Sequence, residues 1–229
     1  MEQQKQGDQP ARTHAAQYPL TVDVSRPALT CGAWTTTGPW TSRARGRPSH
    51  EQLRQYTLHP GSGETLIELF EREFVTGQQA VGITVGGRFL DLDDPDRFVW
   101  RRAFPDMAHR RRALEAFYTG PVWREHRDTA NATMIDSDDV LLLRGPGFTP
   151  QPGTSEVFAT VCHPTDSADF DTYAARHLGP EHALHRTEHA ENDFPRLPVR
   201  TGEDVRIWFG PAEPAPWPAQ RLRLEPVKS

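Results

Sequence analysis

Apolar residues recur along this chain at strand spacing and at helical spacing in turn, and the switches fall at Gly, Pro and Asp. EQLRQYTLHP (51–60) has a strand's length and stops at Pro60-Gly61. In SGETLIELFEREFV (62–75), Leu66, Ile67, Phe70 and Phe74 share one helical face, while Glu64, Glu68, Glu71 and Arg72 face water. QAVGITVGGRFLDL (79–92) is a second strand, with a bulge expected at Gly86-Gly87. RFVWRRAF (97–104) is a third, entered through the turn Asp94-Pro95-Asp96. Asp106 caps the next helix, whose inner face carries Met107, Leu114, Phe117 and Tyr118 and whose outer face carries Arg110 to Arg112. Gly120 ends it, and Pro121 opens a further helix with Val122, Trp123, His126 and Ala130 on its apolar edge. DDVLLLR (138–144) closes the unit as a strand covered on both sides. The order is the split βαβ of a ferredoxin-like fold.

The later half repeats part of this logic. EVFATVCHP, EHALHRTEHAEN and VRIWFGP read as strands, with DFDTYAARHL as a helix between the first two. RFVWRRAFP matches VRIWFGPAEP, and VLLLRGP matches RLRLEPV. From Trp100 to Leu142 is 42 residues, but from Trp208 to Leu224 only 16. The second unit therefore lacks its second helix, and PAEPAPWPAQ, with four prolines, cannot supply one. The sheet there is left short of cover, with Trp217 and the proline tract or a second subunit expected across the gap. Residues 1–49 read as a disordered arm holding Trp34 and Trp40, 50–145 as the first repeat, 146–154 as a linker and 155–229 as the truncated second repeat.

Composition narrows the functions. The net charge is −5, and six Lys/Arg against three Asp/Glu in residues 1–50 leave −8 on the remainder. That balance argues against nucleic acid and anionic membranes as partners. Cys31 and Cys162 have no CxxC partner, which suits unpaired thiols in a reducing cytoplasm. No apolar run reaches the ~18 residues of a membrane span, and no signal peptide opens the chain.

Candidate chemistry is sparse. His182, His185 and His189 would make a metal face on a helix, but they fall in a predicted strand with no carboxylate to complete the set, so no metal site is expected. Arg54 and Tyr56 share one side of the first strand. A buried Arg54 needs an anion, either a carboxylate such as Glu188 or a ligand. Arg196 and Arg200 sit on the proline-stiffened loop FPRLPVR, which could clamp an anion or merely connect strands. Trp123 and His126 are helical neighbours, with Asn131 at that helix's end. Their plain reading is a core Trp, a hydrogen-bonded His and a turn Asn. The motifs of serine hydrolases, P-loop enzymes and dinucleotide binders are missing.

RQYTLHPG, DLDDPDRFVW, AFYTGPVWREHRD, ANATMIDSDDVLLL and NDFPRLPVR together resemble the NIPSNAP family, over about 51 to 229. The resemblance implies an α+β protein of two tandem ferredoxin-like repeats of the dimeric α/β-barrel type, with a ligand cleft between sheet and helices. A homodimer is expected, and a small-molecule or protein binding module; Arg54, Tyr56 and Arg196 are its candidate ligand-binding residues. The resemblance attaches no secure reaction, and no cofactor is expected. The alternative is a cofactor-free or haem-degrading oxygenase of the same superfamily, since such enzymes use Trp, His and Asn; here those are Trp123, His126 and Asn131, with Arg54 and Tyr56 at the same site.

Overall fold

In the computed structural model, residues 49–228 are described. The arm, with Trp34, Trp40 and Cys31, lies outside them apart from Ser49. The strand β1 (Ser49–Leu58) is followed by α1 (Gly63–Leu69), a π-helical turn (Phe70–Phe74) and α2 (Val75–Ala80). Then come β2 (Thr84–Asp91), β3 (Arg97–Phe104), α3 (Met107–Tyr118), α4 (Pro121–Asn131) and β4 (Met134–Gly145). The remainder is β5 (Val157–Cys162), α5 (Ser167–His177), β6 (Ala183–Thr187), β7 (Arg206–Gly210) and β8 (Ala219–Pro226). No helix among the described residues is long and apolar enough to cross a membrane.

The eight strands close into an antiparallel barrel in the order β1-β3-β2-β8-β5-β7-β6-β4. Two seams join the halves: β2 on β8, with Leu90 opposite Glu225, and β4 on β6, with Leu143 opposite Thr187. Closure leaves no strand edge open, and eight strands make an interior just wide enough for side chains. Leu53, Val99, Leu141, Val161, Ile207 and Phe209 are among those that fill it. The alternate residues of β1 and β3, including Tyr56, Phe98 and Trp100, face outward and pack beneath α1 to α4.

Local signals explain most boundaries. The Asp106 carboxylate accepts from the His109 N–H and caps α3, and Pro121 stands at the start of α4. The register of β2 on β3 slips between Val85 and Arg88, at the paired glycines. Three expectations need correction. The first helical segment runs on to Ala80 through the π turn. Arg110 is not on an outer face but wholly buried, because its carbon stem packs inward and its head is paired. The strand expected over EHALHRTEHAEN spans only Ala183–Thr187, so His189 lies beyond it.

Between β7 and β8 there is no helix. Trp217 from the proline tract packs instead on Phe170 and Tyr173 of α5, with ring centroids 6.0 and 5.3 Å apart. The Tyr173 hydroxyl also donates to the Pro214 carbonyl. The connection after β4 has no regular structure, yet Phe148 within it stacks on Phe209 at 5.1 Å.

The barrel's interior is not wholly apolar. Glu51 of β1, Arg101 of β3 and His185 of β6 meet inside it, each no more than 2 % exposed. Arg101 donates to the Glu51 carboxylate and reaches His185 Nε2 at 2.8 Å. Burial opposes the Glu51 charge, but Arg101 and His185 outweigh it and hold the carboxyl at about 2. Burial and Arg101 together push the His185 imidazole below its usual range, so it stays neutral. Because the folded carboxyl lies below its ordinary 4.5, its contribution is complete above that pH and is lost as the pH falls toward 2. Replacing Glu51 with Ala strands the Arg101 charge inside the barrel. Urea unfolding at neutral pH should show a loss of about 3–5 kcal/mol, and the deficit should shrink as both proteins are titrated toward pH 2.

Candidate functional site

The outward faces of β1 and β3 and the helices above them do not fill the space between them. A cavity of about 190 Å³ remains, walled by side chains of β1, β3, α1, the π turn, α3 and α4, and by the loop around Leu197. The sequence builds its walls from aromatic residues. Phe70 and Phe74 of the π turn are both buried at it, and such turns recur at functional sites because they re-aim side chains. Trp100 meets Phe70 edge-on, with centroids 4.7 Å apart. Tyr118 and Trp123 meet in the same way at 4.8 Å.

Beneath the aromatic wall lies a group of buried guanidinium ions. Arg54 is 2 % exposed. Its Nε donates to the Tyr56 hydroxyl at 3.0 Å and its Nη2 to the Ser137 carbonyl at 3.1 Å, while Nη1 has no partner. Glu188, the carboxylate considered for it, pairs instead with His50 and Arg144. That outcome follows from the pleat, which turns Arg54 outward to the helices and leaves Glu188 in the turn after β6. Arg102 donates to Gln52 at 2.5 Å and Gln78 at 3.3 Å, and lies 3.4 Å from the Tyr118 hydroxyl. Arg110 donates to Asp193 and Asn192.

These charges act on one another. Burial alone would raise the Tyr118 phenol, but Arg102, Arg54 and Arg110 outweigh it and draw it below its usual range. Burial brings Arg102 down to about 10, which still leaves it charged at neutral pH. For Arg54 the burial penalty is outweighed by Tyr56, Tyr118 and Asp138, so the guanidinium stays charged.

Of the residues singled out from the sequence, Arg54, Tyr56, Trp123, Asn131 and Arg196 all line this cavity. His126 does not. It lies 3.6 Å from Glu73, with its ring against Phe74. Asn131 is the exposed last residue of α4, and Arg196 is exposed over the Phe194 ring. Arg200 is structural: it binds Glu203 and Asp139 at the head of β4. Of the three histidines, His182 is buried ahead of β6, His185 is inside the barrel and His189 is exposed. No group of three metal-ligating side chains occurs among the described residues. Sequence reasoning missed Tyr118 and Gln78 as wall residues, and Arg102 as the group behind them that binds both, although the alternation in RFVWRRAF places Arg102 on the same side as Trp100.

The loop that roofs the cavity comes from the second half of the chain, and Arg110 ties it down. Removing the Asp193 carboxylate leaves a buried guanidinium with only Asn192 to receive it. Asp193→Ala should lower stability by about 2–4 kcal/mol in thermal unfolding, and limited proteolysis should then cut first within 191–200.

Residues 51–150 match the model of the NIPSNAP family. A NIPSNAP-like domain protein from Burkholderia xenovorans is 24% identical, with a TM-score of 0.38, over 41% of this chain and 84% of that one. A Fusobacterium nucleatum protein provisionally titled a monooxygenase shares the fold across 80% of this chain and 94% of its own, at TM-score 0.53 and 9% identity. A Lactobacillus acidophilus protein with a similar title covers 79% of this chain and 94% of its own, at TM-score 0.50 and 10% identity. No curated protein matches the sequence. At 9–10% identity the last two structures speak to the fold alone.

Proposed function

We propose that this chain, whose residues 51–150 match the NIPSNAP family model, is a small-molecule binding module with its site in the cavity over β1 and β3. One observation carries this. An aromatic-walled cavity holds a buried arginine, Arg54, whose Nη1 has no partner. A buried unpaired donor is costly, and a ligand that accepts from it removes the cost. Pockets lined by apolar rings with a few placed polar groups are the usual form of small-molecule sites.

The proposal includes the wider architecture. We read the chain as two ferredoxin-like repeats, 50–145 and 155–229, joined by 146–154. Supporting this is the run β-α-β-β-α-α-β in residues 49–145, with α1, the π turn and α2 counted as one helix, beside β-α-β-β-β in 157–226. We also propose that the protein is a cytoplasmic homodimer. Its barrel closes within one chain, so a second copy would dock on an outer face, and light scattering would count the subunits.

The oxygenase alternative keeps Trp123 and Asn131 at the cavity but loses His126 to Glu73. Its haem form does not fit. Drug-sized ligands occupy ~300–1,000 Å³, against about 190 Å³ here, and no histidine lines the wall. No reaction step is assigned.

Asn131 is exposed where it borders the cavity, so a larger side chain there blocks entry without disturbing the core. Asn131→Trp should leave stability within about 0.5 kcal/mol. Saturation-transfer NMR with toluene as probe should show binding to the unaltered protein, at least tenfold weaker in the variant. Equal binding by both would refute the cavity as the site.

A further inference from the structure

The hydrogen-bonding groups of the cavity wall are unevenly supplied. The buried ones without a partner are Arg54 Nη1 and Trp100 Nε1, and both are donors that cannot accept. The Tyr56 hydroxyl oxygen already accepts from Arg54 Nε, so its own O–H remains to be given. Tyr118 is placed likewise by Arg102, its oxygen receiving and its proton free. Gln78 turns its carbonyl to Arg102 and has its amide N–H groups to give besides. The wall therefore offers donors and wants acceptors. Its one carboxylate, Asp138, is exposed, makes no ion pair with Arg54 within 4.0 Å, and is the smallest of the influences that keep Arg54 charged.

Charge and size narrow the choice. Arg54 is buried and charged, with Arg102 and Arg110 in the layer behind it. Of these three, only Arg110 has an acidic partner. A neutral ligand would satisfy the unpartnered N–H groups but not the charge. A carboxylate satisfies both, since its two oxygens accept only and match the planar guanidinium. A cavity of ~150 Å³ holds benzene, so about 190 Å³ admits one six-membered ring with a short head group. The ring walls Phe70, Phe74, Phe117 and Trp123 suit such a ring, which they can meet edge-on or offset.

We propose that the cavity binds a compact aryl monocarboxylate, ring among the phenylalanines and carboxylate on Arg54 Nη1 with Trp100 Nε1 and the Tyr56 hydroxyl as further donors. This rests on the cavity being a binding site at all, and the test separates the two.

Isothermal titration of the full chain with phenylacetate, phenylacetamide and toluene compares an anion, its neutral isostere and the bare ring. The expected result is phenylacetate at least tenfold tighter than phenylacetamide, with the preference abolished in Arg54→Met and reduced in Arg54→Lys, which keeps charge but loses the fork. The series on the unaltered protein decides the matter even where a variant fails to fold. Equal or tighter binding of the amide would overturn the carboxylate assignment and leave the cavity standing. Toluene binding without phenylacetate would do the same. Failure of all three would overturn both the assignment and the binding site beneath it.

Discussion

The closure of the barrel within one chain is the constraint on which everything else depends. Once β2 meets β8 and β4 meets β6, every strand has two partners, and the interior has room only for side chains. The Glu51–Arg101–His185 cluster, drawn from both halves, occupies part of that interior. Gln55 and Gln220 exchange hydrogen bonds across another part, at 3.2 and 3.0 Å. Polar groups so placed fix register, because a slip of one residue would turn each of them to the outside. The cavity lies instead on an outer face, over β1 and β3.

The two outer faces are covered differently. Over β1 and β3 lie α1, the π turn, α3 and α4, whose large rings meet edge-on and leave a gap. Over β5 and β7 lie α5 and Trp217, packed on Trp208, Phe170 and Cys162. The shorter second half thus covers its own sheet with α5 and a proline tract. It also sends the loop carrying Asn192 to Leu197 across to the first half, where Arg110 holds it. Each half completes the other: one supplies the walls, the other the roof.

Much of this was legible in the sequence. Pro121 after Gly120, Asp106 ahead of α3 and the paired glycines of β2 act through the nearest few residues, so they could be read locally. That no helix fits between Trp208 and Leu224 was legible as a count of residues. Arg54, Tyr56, Trp123, Asn131 and Arg196 come from three distant segments, and their shared cavity follows from pairing that no local signal encodes. Arg110 was misjudged because arginines at successive helical positions usually face water. Its burial depends on Asp193, 83 residues away. Glu188, one of the partners open to Arg54 in the sequence, pairs with His50 and Arg144 instead, beside the β4–β6 seam.

Why the first half tolerates such a group of arginines is a question of energy. A buried guanidinium paired with neutral acceptors is weaker support than well-packed carbon of equal volume. Gln52, Gln78 and two phenols satisfy part of Arg102 and Arg54, yet Arg102 Nη2 and Arg54 Nη1 remain unmet. Stability alone would favour leucine or methionine at these positions. Stacking recovers some of the loss, with Arg102 5.2 Å from the Trp100 ring centre and Arg54 5.3 Å from that of Tyr56. What stacking cannot provide is an acceptor for Arg54 Nη1, on a residue that lines the cavity. Departures from the best-packed solution concentrate where a protein binds something, and here the unmet donor, the aromatic gap and the π turn fall at one place.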